Sequence, residues 1–563
     1  MARPALVPAV QAAPGAPDEA GPADRPRRLR LRVAGAAGFT LAALGLFAAF
    51  VRLSASYPVN SDGANIVLMA GDMLHGNVLL HSWDMSDVSF WTTELPQYML
   101  VELARGSGPD VPHIAAAMTY TLVLVLAALL AGSRGPGTRE RLTRGLLAAG
   151  IMVAPQLGAG VFVLLLSVGH IGTAVPVLVT WLLVDRARPR WYVPVLAGFL
   201  LAWAVIADPL VLVVGIGPLA AVGLARAARV LLARQGWRAA RYDLSLAGAA
   251  LAAGGIWAGV ASAVKALGGY TVHQVPFHFV TWSALGAHAR TTGLSLLALF
   301  GASFGGAAPG AGVLFPALHV AGLLVVTVAL AVNLARFSGR SLTDQVLAVA
   351  VVVNLVIYLV SSFSSGVLNA REIAVVLPFG AALAGRTFGS WLARAPWPAP
   401  GAWGRPQRWA RPALLAALAG YAAGLGVQLT QPAAPPANTR LAGWLADHHL
   451  THGLSGYWQA GSVTLDSRGS VTVRPLVDHF SGLVPYRWEA KRSWFDGRTR
   501  YADFVVLDRQ PGFFTYWDPA RQVRDVFGAP ALTYRTGPYT ILVWHQNLLT
   551  ALPRWEQGAT RPG

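Results

Sequence analysis

Residues 54–112 hold seven carboxylates, Asp62, Asp72, Asp84, Asp87, Glu94, Glu102 and Asp110, against one strong base, Arg105. A positioned carboxylate can take the proton from a weak hydroxyl nucleophile as that hydroxyl attacks an electrophilic carbon. Beside lipid, such a cluster costs free energy unless it is solvated or used, which makes it a functional-site candidate. Asn60-Ser61-Asp62-Gly63 has the chemistry of a helix cap, and Ile66, Val67, Met69, Ala70, Met73 and Leu74 follow at helical spacing up to Gly76. The pattern predicts a helix along the membrane surface with Asp62 in its first turn, where the helix dipole favours an ionised carboxylate. A second helix is expected from near Pro96 to Gly106, capped by Thr92 or Thr93, with Glu102 and Arg105 paired at i, i+3. Asp62 is the first candidate for the base, with Glu94 and Asp72 behind it. The competing readings are an ordinary Asp cap at position 62 and solvated helix faces at 72 and 94.

The elements that position these groups are hydrophobic. The 563 residues are 54% hydrophobic and only 12% charged, with a mean hydropathy of +0.49. Several apolar runs reach the roughly 20 residues that a helix needs to cross a bilayer. The chain therefore reads as a polytopic membrane protein. Eleven spans are expected, near 33–51, 113–132, 146–168, 171–185, 192–207, 209–225, 244–266, 315–335, 346–363, 373–388 and 412–430. The first is too long an apolar run for a signal peptide, whose core is usually about 7–15 residues. Arginines crowd the N-terminal tail and alternate loops, at Arg25–Arg32, Arg134–Arg144, Arg186–Arg190, Arg226–Arg241, Arg336–Arg340 and Arg386–Arg411. That alternation places the N-terminus in the cytoplasm and, with an odd number of spans, the C-terminus outside. The net charge of +18 thus reports topology, and a nucleic-acid partner is not expected. The absence of cysteine excludes disulfides, thiolate metal sites and a thiol nucleophile.

The expected organisation is a disordered cytoplasmic tail (1–30), a membrane domain (31–430) with outer loops at 54–112 and 268–314, and a small α/β extracytoplasmic domain (431–563). In the last, a helix is expected at 439–452 and strands at 463–465, 471–474 and 504–507. A hairpin of 532–535 with 540–544 should turn at Thr536-Gly537-Pro538, and a short helix should run from Asp518-Pro519 to Gly528. His448 and His452 sit at i, i+4 on the expected helix, but His449 stands where a zincin has Glu, so a solvated helix end is the preferred reading. Tyr457-Trp458 reads as domain core or membrane-face contact ahead of a sugar-stacking platform. His273, His278 and His288 read as interfacial packing, and Asp208 as either a cap or a site residue.

Asp62, then Met69 through Asn77, then Phe90-Trp91-Thr92-Thr93-Glu94-Leu95-Pro96 resembles the first outer loop of GT-C membrane glycosyltransferases, the class of the lipid-A aminoarabinose transferases and protein O-mannosyltransferases. The chain departs from the aminoarabinose type, which has an acidic pair where Asp62-Gly63 stands and Lys-Pro-Pro where Glu94-Leu95-Pro96 stands. The resemblance implies transfer of a sugar from a polyprenyl-phosphate donor to an envelope glycan, glycolipid or protein acceptor at the outer membrane face. It implies single displacement with inversion, Asp62 as base, and a cation on the leaving phosphate. Arg371 at an outer span end is the first candidate for that cation, with Arg290 and Arg105 in reserve. The 268–314 segment is the candidate groove for the lipid tail. No cofactor is required, although the acids leave room for a divalent cation. Two other readings stand beside this one: a transporter or lipid flippase, and a non-catalytic envelope-assembly protein that would tolerate Asp62→Asn.

Overall fold

The computed structural model describes residues 24–166, 169–275, 277–305, 311–396, 406–479, 482–508 and 519–560. Residues 47–563 form one compact unit and residues 1–46 another. The expected tail up to residue 23 and Asp518 lie outside the described residues. Among those described, seven helices are long and apolar enough to cross a membrane: Val33–Ser54, Val111–Gly132, Leu212–Leu232, Trp237–Ala266, Gly312–Ala335, Leu342–Val360 and Ala410–Leu429. Val367–Ile373 and Val376–Arg394, bent by 58° against each other, pass the same test as a pair and count as an eighth if the pair is one broken span. By length and composition the described residues thus give seven or eight spans, and the expected count of eleven is not confirmed. The predicted span 146–168 is two helices, Thr138–Met152 and Ala159–Leu165, parted by a segment containing Pro155 and Gly158. Pro155 cannot donate to a continuing helix. The next two apolar helices, Ala174–Arg186 and Tyr192–Ala207, have 13 and 16 residues and fall short of a bilayer's thickness. Counting parity therefore says nothing about which side the C-terminus occupies.

The C-terminal region is α/β. Its six-stranded sheet runs in the order Gly482–Pro485, Thr472–His479, His452–Gly456, Phe504–Asp508, Tyr539–Val543, Leu532–Thr536. The central pairs are parallel and the outer ones antiparallel. The predicted hairpin and the short helix closed by Gly528, at φ +78°, are both present. The expected strand at 463–465 is instead part of the helix Tyr457–Asp466. Val463 and Thr464 favour a strand locally, but parallel strands need a crossover, and this helix joins His452–Gly456 to Thr472–His479. The helix expected at 439–452 stops at Asp447, and His452 begins a strand, so His448 and His452 do not share a helix.

A second, small sheet gathers three distant segments. Trp83–Met85 of the first loop pairs parallel with Thr271–Val272 and antiparallel with Ala490–Lys491. The expected loop 268–314 also carries a helix, Leu285–Phe300. Around the small sheet, Ile66, Met69, Leu80, Trp83, Leu95 and Tyr270 form a buried apolar cluster. These contacts fix the first loop against the C-terminal region.

Candidate active site

Asp62 occupies the first turn of the helix Ser61–Leu74, whose N-cap Asn60 accepts a hydrogen bond from the Gly63 amide at 3.1 Å. Capping is thus done by Asn60, which leaves the Asp62 side chain available for other contacts. Nine of the helix's 14 residues are buried, so it is embedded in protein to a degree that a surface helix would not be. Asp62 Oδ1 lies 2.6 Å from the Tyr457 hydroxyl, which is also 2.9 Å from Glu489 Oε2. Asn60 Nδ2 donates to Asp62 Oδ2 at 3.3 Å and Asn65 Nδ2 to Tyr457 Oη at 3.4 Å. Tyr457 and Glu489 are buried, whereas Asp62 is only partly so.

The approach of the two helices depends on Gly461. A Cβ there would run into Asn65 Oδ1 and lie 3.3 Å from the Ser61 carbonyl. Glu489 is placed by the small sheet, directly before Ala490, which pairs with Asp84. Its φ of +49° lies in the left-handed region, strain that persists only where the surroundings enforce it. Burial raises the Asp62 pKa above the ordinary carboxylate value, opposed by the Tyr457 hydrogen bond and the Arg371 charge. Burial and the neighbouring Asp62 raise Glu489 much further.

Arg371, in the first helix of the bent pair and next to the bend, is the cation of this group. Its charge acts on Glu372, Asp87, Asp62 and Glu489, and its side chain remains 37% exposed. His170 bridges two further acids, with Nδ1 at 2.7 Å from Asp208 and Nε2 at 2.9 Å from Glu372. Burial alone would lower the imidazole's pKa, but Asp208 and Glu372 outweigh it and hold the ring protonated well above the usual range. Thr173 also donates to Asp208. A cleft of about 1090 Å³ opens beside His170; its lining includes Glu372 but neither Arg371 nor Asp62. Apolar Leu210, Val213, Trp257, Ile357 and Phe363 line it, together with Asp87, His170, Asp208 and Glu372. Residues 270–275 and Phe277, from the predicted groove segment, line it as well, and Lys265 stands at its wall. Among the described residues no three His, Asp or Glu side chains converge closely enough to hold a metal ion.

Arg371 lies within electrostatic reach of Asp62, and the other candidates lie elsewhere. Glu94 opens the helix Glu94–Arg105, buried against Gly172, where a Cβ would run into its Oε1. Burial raises it to about 7, with Asp208 adding to the effect. It borders the His170–Asp208 pair rather than Asp62. Thr93 donates to Glu94 instead of capping the helix, and Thr92 donates to the Trp203 carbonyl. Asp72 lies ten residues beyond Asp62, about 15 Å along the helix. There it binds Lys491 Nζ at 2.8 Å, Trp83 Nε1 at 2.8 Å and Asn77 Nδ2 at 2.6 Å. Burial alone would raise its pKa, but these donors outweigh it and lower it. Arg105 is exposed and paired with Asp110 at 3.3 Å rather than with Glu102. Arg290 is exposed on the helix Leu285–Phe300, away from the lining of the cleft.

Sequence reasoning missed Glu489 and His170. It read Tyr457 as domain core, where the residue does pack with Val477, Val484 and Tyr486, but missed its contact with Asp62. No local pattern marks Glu489, because its partners lie in a loop encoded hundreds of residues earlier. Asp87 and Glu372 had a weak signal: Asp87 is one of the seven acids of the outer loop, and Glu372 adjoins a predicted outer span end. Asp208, read as cap or site, both accepts from the Leu210 amide at 2.8 Å and binds His170.

Fold and site together define a class of protein: a polytopic membrane chain with an α/β C-terminal region packed on an acid-rich loop. No family model matches the sequence, and no curated protein matches it. Among solved structures the fold is that of ArnT from Cupriavidus metallidurans. The structure bound to undecaprenyl phosphate superposes at a TM-score of 0.53 with 14% identity, over 90% of this chain and 98% of that one. The apo structure gives 0.52 and 13%, over 93% and 99%. The Archaeoglobus fulgidus oligosaccharyltransferase gives 0.45 and 13%, over 83% and 67%.

Proposed function

We propose that the protein is a GT-C membrane glycosyltransferase that moves a sugar from a polyprenyl-phosphate donor to a hydroxyl acceptor of the cell envelope. The observation that carries this reading is the placement of one partly exposed carboxylate, Asp62, within the field of one partly exposed guanidinium, Arg371. Asp62 takes the acceptor's proton as the oxygen attacks the anomeric carbon. The bond from that carbon to the phosphate oxygen breaks with its electron pair, and Arg371 stabilises the charge that collects there. A single displacement of this kind inverts the anomeric centre. The apolar wall of the cleft suits a polyprenyl tail, and Lys265 adds positive charge beside it. The ArnT structure with undecaprenyl phosphate supports a lipid-phosphate ligand for this fold. In this reading the loop 54–112 and the C-terminal region face the outside and the arginine-rich loops the cytoplasm.

The test is transfer by purified protein of radiolabelled sugars from polyprenyl phosphates to envelope acceptors, with wild type and Asp62→Asn compared at matched folding. Transfer by wild type alone supports the reading. Equal transfer by both removes Asp62 as base.

A further inference from the structure

We propose that Tyr457 and Glu489 of the C-terminal region are positioning residues for the Asp62 base, joined to it in a hydrogen-bonded chain in which Glu489 is a neutral acid. This deepens the glycosyltransferase reading and rests on it.

The argument begins with proton counting. The Tyr457 hydroxyl contacts both Asp62 Oδ1, at 2.6 Å, and Glu489 Oε2, at 2.9 Å. A phenol has one hydrogen to donate, and an ionised carboxylate only accepts. Both contacts are hydrogen bonds only if one of the two carboxyls carries a proton. Burial decides which. Glu489 is 4% exposed, while Asp62 reaches the surface and lies in the first turn of a helix, where the dipole favours its charge. Glu489 therefore holds the proton and donates it to Tyr457 Oη, and Tyr457 in turn donates to Asp62 Oδ1. The charged and titratable groups facing Asp62 are Arg371 and Glu489, with Tyr457 between. Asp87, Tyr98 and Arg371 face Glu489 as well. The left-handed backbone at Glu489 is a second, independent sign that the residue is held where it is at a cost.

The consequence is chemical. A hydrogen bond to the ionised form keeps Asp62 deprotonated at a lower pH than its partly buried setting alone would allow. It also fixes Oδ1 with the shorter bond, so Oδ2, which accepts only the 3.3 Å bond from Asn60, is the oxygen with a lone pair to receive the acceptor's proton while the acceptor oxygen bonds the anomeric carbon. The phosphate departs with the electron pair. Neither Tyr457 nor Glu489 touches substrate.

The experiment is the pH profile of kcat/KM for the purified full chain with a polyprenyl-phosphate sugar, together with the infrared carboxylic-acid band at pH 8. Tyr457→Phe is expected to move the acidic limb up by about 1 pH unit and to recover much of the rate at high pH. Glu489→Gln keeps a neutral donor to Tyr457, so it is expected to leave the limb in place and to remove an infrared band that wild type shows. A Tyr457→Phe limb that superposes on wild type, or an unchanged band in Glu489→Gln, overturns the proposal. If Tyr457→Phe melts early, the Glu489→Gln band and profile decide. Failure of the wild type to transfer, or full activity of Asp62→Asn, would strike the glycosyltransferase reading instead. The band remains readable in either case.

Discussion

The Tyr457 hydroxyl lies 2.6 Å from Asp62 Oδ1, although 395 residues separate the two in the chain. The environment of the candidate base is therefore built jointly by the first loop and the C-terminal region. Gly461 permits the approach, because a side chain there meets Asn65. Gly461→Val is expected to push the helices apart and to lower transfer by about tenfold to a hundredfold, the usual cost of misplacing a reacting group by about 1 Å. A transfer assay beside a melting curve checks this. Unchanged transfer in a well-folded variant would count against the contact's importance.

Stability should depend on pH through the loop's buried acids. Burial raises Glu94 and Glu102 from 4.5 to about 7. Between those values the folded protein keeps protons that the unfolded chain releases. The stabilisation is complete below about pH 4.5 and is lost as pH rises through about 7. Glu94→Gln and Glu102→Gln, singly and together, should flatten that decline and melt higher than wild type at pH 8. The measurement is Tm against pH in one detergent.

Asp72 joins the loop to the C-terminal region through Lys491, at 2.8 Å. Asp72→Asn should cost about 1–3 kcal/mol, as hydrogen bonds to a charged group do. Transfer per folded molecule should stay near wild type. Loss of transfer without loss of stability would return Asp72 to the catalytic candidates.

His170 holds Asp208 and Glu372 on opposite ring nitrogens, and Glu372 adjoins Arg371. Removing one partner from a buried ionic group costs about 3–5 kcal/mol. His170→Ala should therefore lower Tm and, by freeing the segment that carries Arg371, raise KM for the lipid donor more than it lowers kcat. Donor kinetics at matched folding check this, and an unchanged KM would contradict it.

The local parts of this architecture were legible in the sequence. Asn60-Ser61-Asp62-Gly63 marked the helix start because capping involves neighbouring residues only. The hairpin at Thr536-Gly537-Pro538 and the short helix ending at Gly528 were legible for the same reason. Arg371 was singled out because charge at a span end is costly unless used. What escaped depends on tertiary pairing. Glu489 gains its place from the neighbouring two-residue strand, whose Ala490 pairs with Asp84. The Val463–Leu465 run became helix because the sheet needed a crossover there. The continuous helix expected at 146–168 failed where Pro155 and Gly158 divide one apolar run into two shorter helices.

The central claim is that Asp62 removes the acceptor's proton. Its most direct test is the rate of sugar transfer from a polyprenyl-phosphate donor by Asp62→Asn against wild type, both shown to be folded by their melting curves. The account predicts a loss of about 10²–10⁴-fold, the contribution expected of a general base. A variant that transfers at the wild-type rate would contradict it.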